Sequence, residues 1–210
     1  LFTAKRETVN IWRNGHLKNW VSRPRPLDQV RPTTSEVLGV IQVGSTSDYS
    51  LGTFKNEFSN SFPSFALETM RPLPDPSEAY DALRGQYHST RLLVLLEQHL
   101  RTVPADRLLG VTAFDLFVPG MNFVFGEARC PGYVAVISTQ RLKTSPKDQG
   151  LFRERVLKES VHEIGHTQGL KHCPDPLCVM HFSEHIGDTD RKSSTFCKEC
   201  HSDLVRQKVG

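Results

Sequence analysis

The chain has 210 residues, 38% of them hydrophobic and 23% charged, with a formal charge of only +3. This composition suits one globular domain of ordinary core size. An apolar run of about 18 residues is lacking, which excludes a membrane-spanning helix.

The charge is unevenly placed. Residues 1–36 hold seven Lys/Arg against three acids, so the other 174 residues net −1. A near-neutral body without a basic stripe argues against nucleic acid as a partner. The first residues lack the apolar core of a secretory signal, so none is expected. Of five cysteines, four fall between residues 173 and 200. That clustering points to metal ligation and not to a disulfide framework, and it suits a reducing, cytoplasmic compartment.

In chain order, residues 1–36 show no clear period and read as an extension with one short helix. Residues 37–43 form an apolar run that ends at Gly44 and reads as a buried strand. Residues 49–60 have helical spacing of Tyr49, Leu51, Phe54 and Phe58, and Pro63 ends the segment. Residues 65–70 alternate as a half-buried strand, and 72–76 form a proline-bounded loop. Residues 89–100 place Leu92, Leu93, Leu96 and Leu100 on one helical face. Strands follow at 108–114, 122–128 and 133–138, with a loop at 115–121 and a turn at Pro131-Gly132. The order predicts an α/β sheet covered by helices. Ser145 as cap, Pro146 at the first position and Asp148 in the first turn open a long helix to about Gln168. Gly169 should stop it.

That helix carries His162, Glu163 and His166. Two histidines four apart lie on one helical face and can reach a single zinc. Glu163 projects beside that face, where a general base for the attacking water belongs. His172, beyond the reversal at Gly169, can supply a third ligand, which leaves a fourth position open as catalytic zinc sites require. A bare HExxH arises by chance on polar helices. HExxHxxGxxH followed by Met180 is the metzincin pattern with its Met-turn.

Cys173 and Cys178 are spaced by four residues, and Cys197 and Cys200 by two. Such pairs suit a tetrahedral thiolate site holding a second, structural zinc. Cys130 stands alone and reads as a structural thiol. His181, His185 and His201 read as surface or supporting residues. Cys173 directly follows His172, and Cys178 lies two before Met180. A metal on the cysteines would therefore also fix the turn that aims His172. Asn122, Phe123, Val124, Phe125 and Gly126 lie on either an internal strand or a sheet edge above the cleft.

HEIGHTQGLKHC with the following CVM and FCKEC resembles the archaemetzincins, a branch of the metzincins. RGQY at 84–87, NFVFGEA at 122–128 and Ser138 with Arg141-Leu142 extend the likeness over roughly residues 37–205. The resemblance implies an α/β (α+β) metzincin-like zincin fold. In it, a mixed twisted sheet with backing helices and an active-site helix is joined to a small C-terminal subdomain with a structural zinc. It implies a domain over 37–210, with an upper lobe at 37–169 and a lower lobe at 170–210. It implies His162, His166 and His172 on a catalytic zinc, Glu163 as base, and Cys173, Cys178, Cys197 and Cys200 on the structural zinc. Residues 181–186 would wall the pocket after the scissile bond, and the 122–126 segment would be the substrate-binding edge. The expectation is a monomeric zinc metallopeptidase with two zinc ions, acting on a peptide or protein substrate. The alternative is a peptide- or metal-binding module with little turnover.

Overall fold

The apolar runs of the sequence become the strands of one mixed sheet. The structure, a computed structural model, describes residues 8–13, 16–21, 35–44, 55–145 and 147–209. Residues 1–33 and 34–210 form two compact units.

In the first unit, β1 (Thr8–Arg13) and β2 (His16–Val21) pair antiparallel, with Arg13 opposite His16. The short helix expected here is therefore corrected to a hairpin among the described residues. The physical reason lies in β-branched Val9 and Ile11 alternating with Thr8 and Asn10, a pattern that suits a strand.

The second unit is built on a five-stranded sheet. Its strands are β3 (Glu36–Gln42), β4 (Phe65–Thr69), β7 (Arg107–Thr112), β9 (Gly126–Ala128) and β10 (Val134–Ser138). Their order is β4-β3-β7-β10-β9. The first four are parallel, and only the edge strand β9 runs antiparallel. Parallel strands need crossovers, and helices supply them: α1 (Lys55–Ser61) between β3 and β4, and α2 (Ser89–Leu100) between β4 and β7.

Each strand feeds two cores. Leu38, Val40, Leu109, Val111, Ala135 and Ile137 pack with α1 and α3 (Gln149–Thr167) on one face. Val37, Ile41, Leu108, Val134 and Val136 pack with Leu92, Leu93 and Leu96 of α2 on the other. Both faces being covered explains why these strands read as continuous apolar runs.

A second, three-stranded sheet joins β5 (Tyr80–Asp81), β6 (Gln86–His88) and β8 (Leu116–Phe117). β8 lies inside the segment expected to be a plain loop. The strand expected over 122–128 shortens to β9, because Val124 bonds instead to Leu116 of the second sheet. Two further helices close the chain, α4 (Ile186–Arg191) and α5 (Lys198–Val209). No helix among the described residues is long and apolar enough to cross a membrane.

Candidate metal centres

The long helix α3 starts later than its sequence suggests. The Asp148 carboxylate, not Ser145, caps it by accepting from Leu151 N at 2.9 Å. Asp is as good a cap as Ser, so the acid read as a first-turn residue takes the cap itself. The far end closes as a Schellman turn: Gly169 N donates to His166 O at 2.8 Å and Leu170 N to Gly165 O at 3.1 Å. Gly169 has φ 93° there, in the left-handed region that a side chain disfavours.

This reversal sets the imidazoles. His166 Nδ1 donates to Leu170 O and His162 Nδ1 to Val179 O, both at 2.8 Å. A carbonyl only accepts, so each ring carries its proton on Nδ1 and presents a lone pair at Nε2. The two Nε2 atoms face one another at 3.1 Å. One donor atom each from His162, His166 and His172 falls within 4.8 Å of the others. Two lone pairs facing at that distance repel unless a cation lies between them, so this donor set fits a zinc ion. Burial holds His162 well below the usual histidine range and His166 down at about 4. It lowers His172 as well. All three rings are therefore neutral near neutral pH, as a metal ligand must be. His162 is buried, His166 half-buried and His172 exposed, so the cluster opens toward solvent on the His172 side.

Met180 is fully buried. Its Sδ would lie 2.5 Å from a Cβ placed on Gly165, so a bare backbone at 165 is what lets the methionine rest against α3. Cys173 N donates to Met180 O at 2.9 Å, which ties the turn to the segment bearing His172.

Glu163 reaches the sheet edge. A Cβ on Gly126 would stand 2.7 Å from Glu163 Oε1. Burial, reinforced by the nearby Glu159 carboxylate, pushes the Glu163 carboxyl well above its ordinary value.

Within the segment 122–126, Gly126 abuts Glu163. Phe125 is buried, and Phe123 stacks edge-on against it. Asn122 O accepts from Arg84 and Gln86, each at 3.0 Å. Arg84 and Gln86 belong to the RGQY stretch, whose sequence gave no sign of this anchoring role.

The four sulfurs of Cys173, Cys178, Cys197 and Cys200 also lie within 4.8 Å of one another. All five cysteines are free thiols. Cys197 N donates to Cys178 Sγ at 3.3 Å and Cys200 N to Cys197 Sγ at 3.5 Å. Such N–H donors favour the ionised sulfur, as does the N-terminal end of α5 where the pair sits. Burial works against ionisation, raising Cys197 to about 11 and Cys200 further. A dication in the cluster removes that penalty, so these residues fit zinc as well. Cys130 lies apart, donating to Leu170 O at 3.4 Å. His181 donates to Cys173 O and His185 caps α4, while His162, His166 and His172 form the histidine cluster.

The sequence reading missed the charges that α3 buries. Arg155, Lys158 and Glu159 are 4%, 2% and 2% exposed, although a solvated polar face was the natural reading. Arg155 holds the Asp190 carboxylate at 2.6 and 2.7 Å, and Lys158 Nζ donates to Asp190 O at 3.0 Å.

Comparison with known proteins agrees with this geometry. The model of peptidase family M54 matches residues 69–206. The chain belongs to peptidase family M54. That makes it a zinc metallopeptidase, a hydrolase. An archaemetzincin of Methanopyrus kandleri is 50% identical over 131 residues, 62% of this chain and 73% of that protein. One from Archaeoglobus fulgidus is 50% identical over 134 residues, 63% of this chain and 78% of that protein. The crystal structure of the Methanopyrus kandleri archaemetzincin superimposes with a TM-score of 0.78 at 38% identity, covering 86% of this chain and 99% of that one. A zinc-dependent peptidase from Methanocorpusculum labreanum gives 0.71 at 29% identity over 79% and 99% of the two chains. The M54 assignment bears out the metzincin-like mixed α/β fold expected from the motif.

Proposed function

We propose that His162, His166 and His172 hold a catalytic zinc and that Glu163 is the general base of peptide-bond hydrolysis. One observation carries this reading: donor atoms of three histidines converge within 4.8 Å of one another, and the residue after His162 on the same helix is a buried carboxylate that abuts a sheet edge. When bound, zinc acidifies a water molecule and polarises the scissile carbonyl. Glu163 takes the proton of the attacking water and delivers it to the leaving amine. Burial makes its carboxylate costly as an anion, so it accepts that proton readily.

The edge strand supplies the substrate platform. Phe125 O accepts from Ser138 N, and Arg129 N donates to Val134 O. In an antiparallel ladder bonding groups alternate, so Gly126 and Ala128 turn their main-chain groups away from β10. An extended peptide adds there as a further strand, next to Glu163. Asn122, Phe123, Val124 and Phe125 belong to the same substrate-binding segment as that edge.

Cys173, Cys178, Cys197 and Cys200 hold a second, structural zinc, giving two ions per chain. Residues 37–169 act as the upper lobe and 170–210 as the lower, with the cleft between them and Met180 as the apolar floor. The protein works as a monomer in the cytoplasm, where its thiols stay reduced.

The test is a peptide-library digest of zinc-loaded protein beside Glu163→Ala. Parent cleavage that falls by roughly 10²–10⁴ in the variant, with both metals retained, supports the reading. Peptide binding without cleavage would instead identify an idle binding module.

A further inference from the structure

Glu159 lies one turn before His162 and Glu163 on α3, and its carboxylate meets Lys192 Nζ at 3.0 Å. Both side chains are shut off from solvent, at 3% and 0% exposed. Thr189 Oγ1 donates to the same Glu159 oxygen at 3.0 Å. Lys192 Nζ also donates to His181 O at 3.4 Å. His181 Nδ1 donates to Cys173 O at 3.0 Å, and Cys173 N donates to Met180 O at 2.9 Å. These bonds form one relay from the zinc helix to the residue joined to His172 and to the floor methionine. The His172 ring rests on Phe182, with centroids 4.9 Å apart, directly after the His181 link.

Stability alone does not account for this pair. Two charges taken from water gain back little more than their desolvation, and well-packed apolar residues do as well or better. The docking of α4 on α3 is separately secured by Arg155 and Lys158 on Asp190. What an ion pair provides, and an apolar pair does not, is a fixed direction.

We infer that the buried Glu159–Lys192 pair is a positioning device for the three-histidine centre, holding His172-Cys173 and Met180-His181 in place against α3. The inference rests on reading His162, His166 and His172 as metal ligands. Neither side chain touches the reacting atoms.

The test replaces both charges at once, Glu159→Leu with Lys192→Met, and titrates metal-free protein with zinc against a chromogenic chelator. The folded variant keeps its melting temperature and its four-cysteine affinity. Zinc at the histidines weakens by about 10–100-fold, as for other residues that orient ligands, and kcat falls while KM holds. A merely structural pair would move the melting temperature and leave the affinity ratio alone. His181→Phe keeps the buried pair and cuts the relay at its next link, so it carries the test if the double variant fails to fold. Histidine-site affinity equal to the parent's, in whichever of these variants folds, overturns the inference. A parent that fills only the four-cysteine site sinks the metal reading itself, which distinguishes the two failures.

Discussion

The two donor clusters share one stretch of chain, and they are built on opposite principles. The histidine cluster takes two ligands from a rigid helix and one from a returning turn, and it grades from buried His162 to exposed His172. The cysteine cluster takes every ligand from short turns and the start of α5. It buries Cys178 and Cys200 and surrounds its sulfurs with backbone N–H donors. The first leaves a face open for chemistry; the second closes on itself. The difference teaches that a closed cluster can rest on short turns and one helix end, with the proposed metal as its core, whereas a reactive site borrows rigidity from a long helix of the fold.

The largest effects should therefore come from the cysteines. Cys197→Ser with Cys200→Ser would remove the proposed structural ion, and binding of such an ion is worth about 10 kcal/mol or more in small zinc modules. Zinc per chain should drop below one, because the turn that aims His172 loses its anchor at Cys173. His172→Ala should lose only the histidine metal and leave the four-cysteine metal bound. Metal counting on both variants checks this asymmetry. One zinc per chain in the double cysteine variant, with catalysis intact, would break the link between the clusters.

The opposite construction also explains what could be read from sequence. HExxHxxGxxH is local: ligand spacing follows from the pitch of one helix, and Gly169 marks where it ends. The cysteine pairs are equally local. The sheet edge was only half legible, since Val124 and Phe125 are as apolar as any strand residue. Their partners, Leu116 and Ser138, are chosen by tertiary pairing. Glu159 and Lys192 were not legible at all, because a charge on a helix looks solvated until its counter-charge 33 positions later is placed beside it. The pairing of β1 with β2 was not read from the sequence, because tryptophans and charges break the alternation of these strands.

A smaller effect tests the open face of the histidine site. Gly126→Ala puts a methyl group where Glu163 Oε1 now stands at 2.7 Å. Glu163 must move, and displacement of a reacting group by about 1 Å costs on the order of 10²-fold in rate. kcat should fall while both metals remain bound and peptide affinity changes little. Unchanged kcat would show that Glu163 does not depend on this strand for its place.

Gly165→Ala probes the floor that the two clusters share. The added methyl meets Met180 Sδ at 2.5 Å, and overpacking of this kind costs about 1–3 kcal/mol. The melting temperature should fall. Gly165→Ala combined with Met180→Leu should fare differently from the sum of the single changes, because the two residues are in contact.

The smallest effect separates the helix's own docking from both metals. The Arg155 guanidinium holds the Asp190 carboxyl below its ordinary value of 3.8, outweighing a partial burial that acts the other way. A carboxyl whose folded value is depressed stabilises the fold above its unfolded value. That contribution disappears as pH falls through the folded value. The stability difference between parent and Asp190→Asn should therefore be constant from pH 7 down to about 5 and shrink below about 4. Metal loss in acid affects both proteins and cancels in the difference. A difference that stays constant into strong acid would mean that the Arg155–Asp190 ion pair does not help dock α4 and that Arg155 serves the 142–144 segment, where its other nitrogen contacts Leu142 O and Thr144 Oγ1 at 2.9 and 2.7 Å.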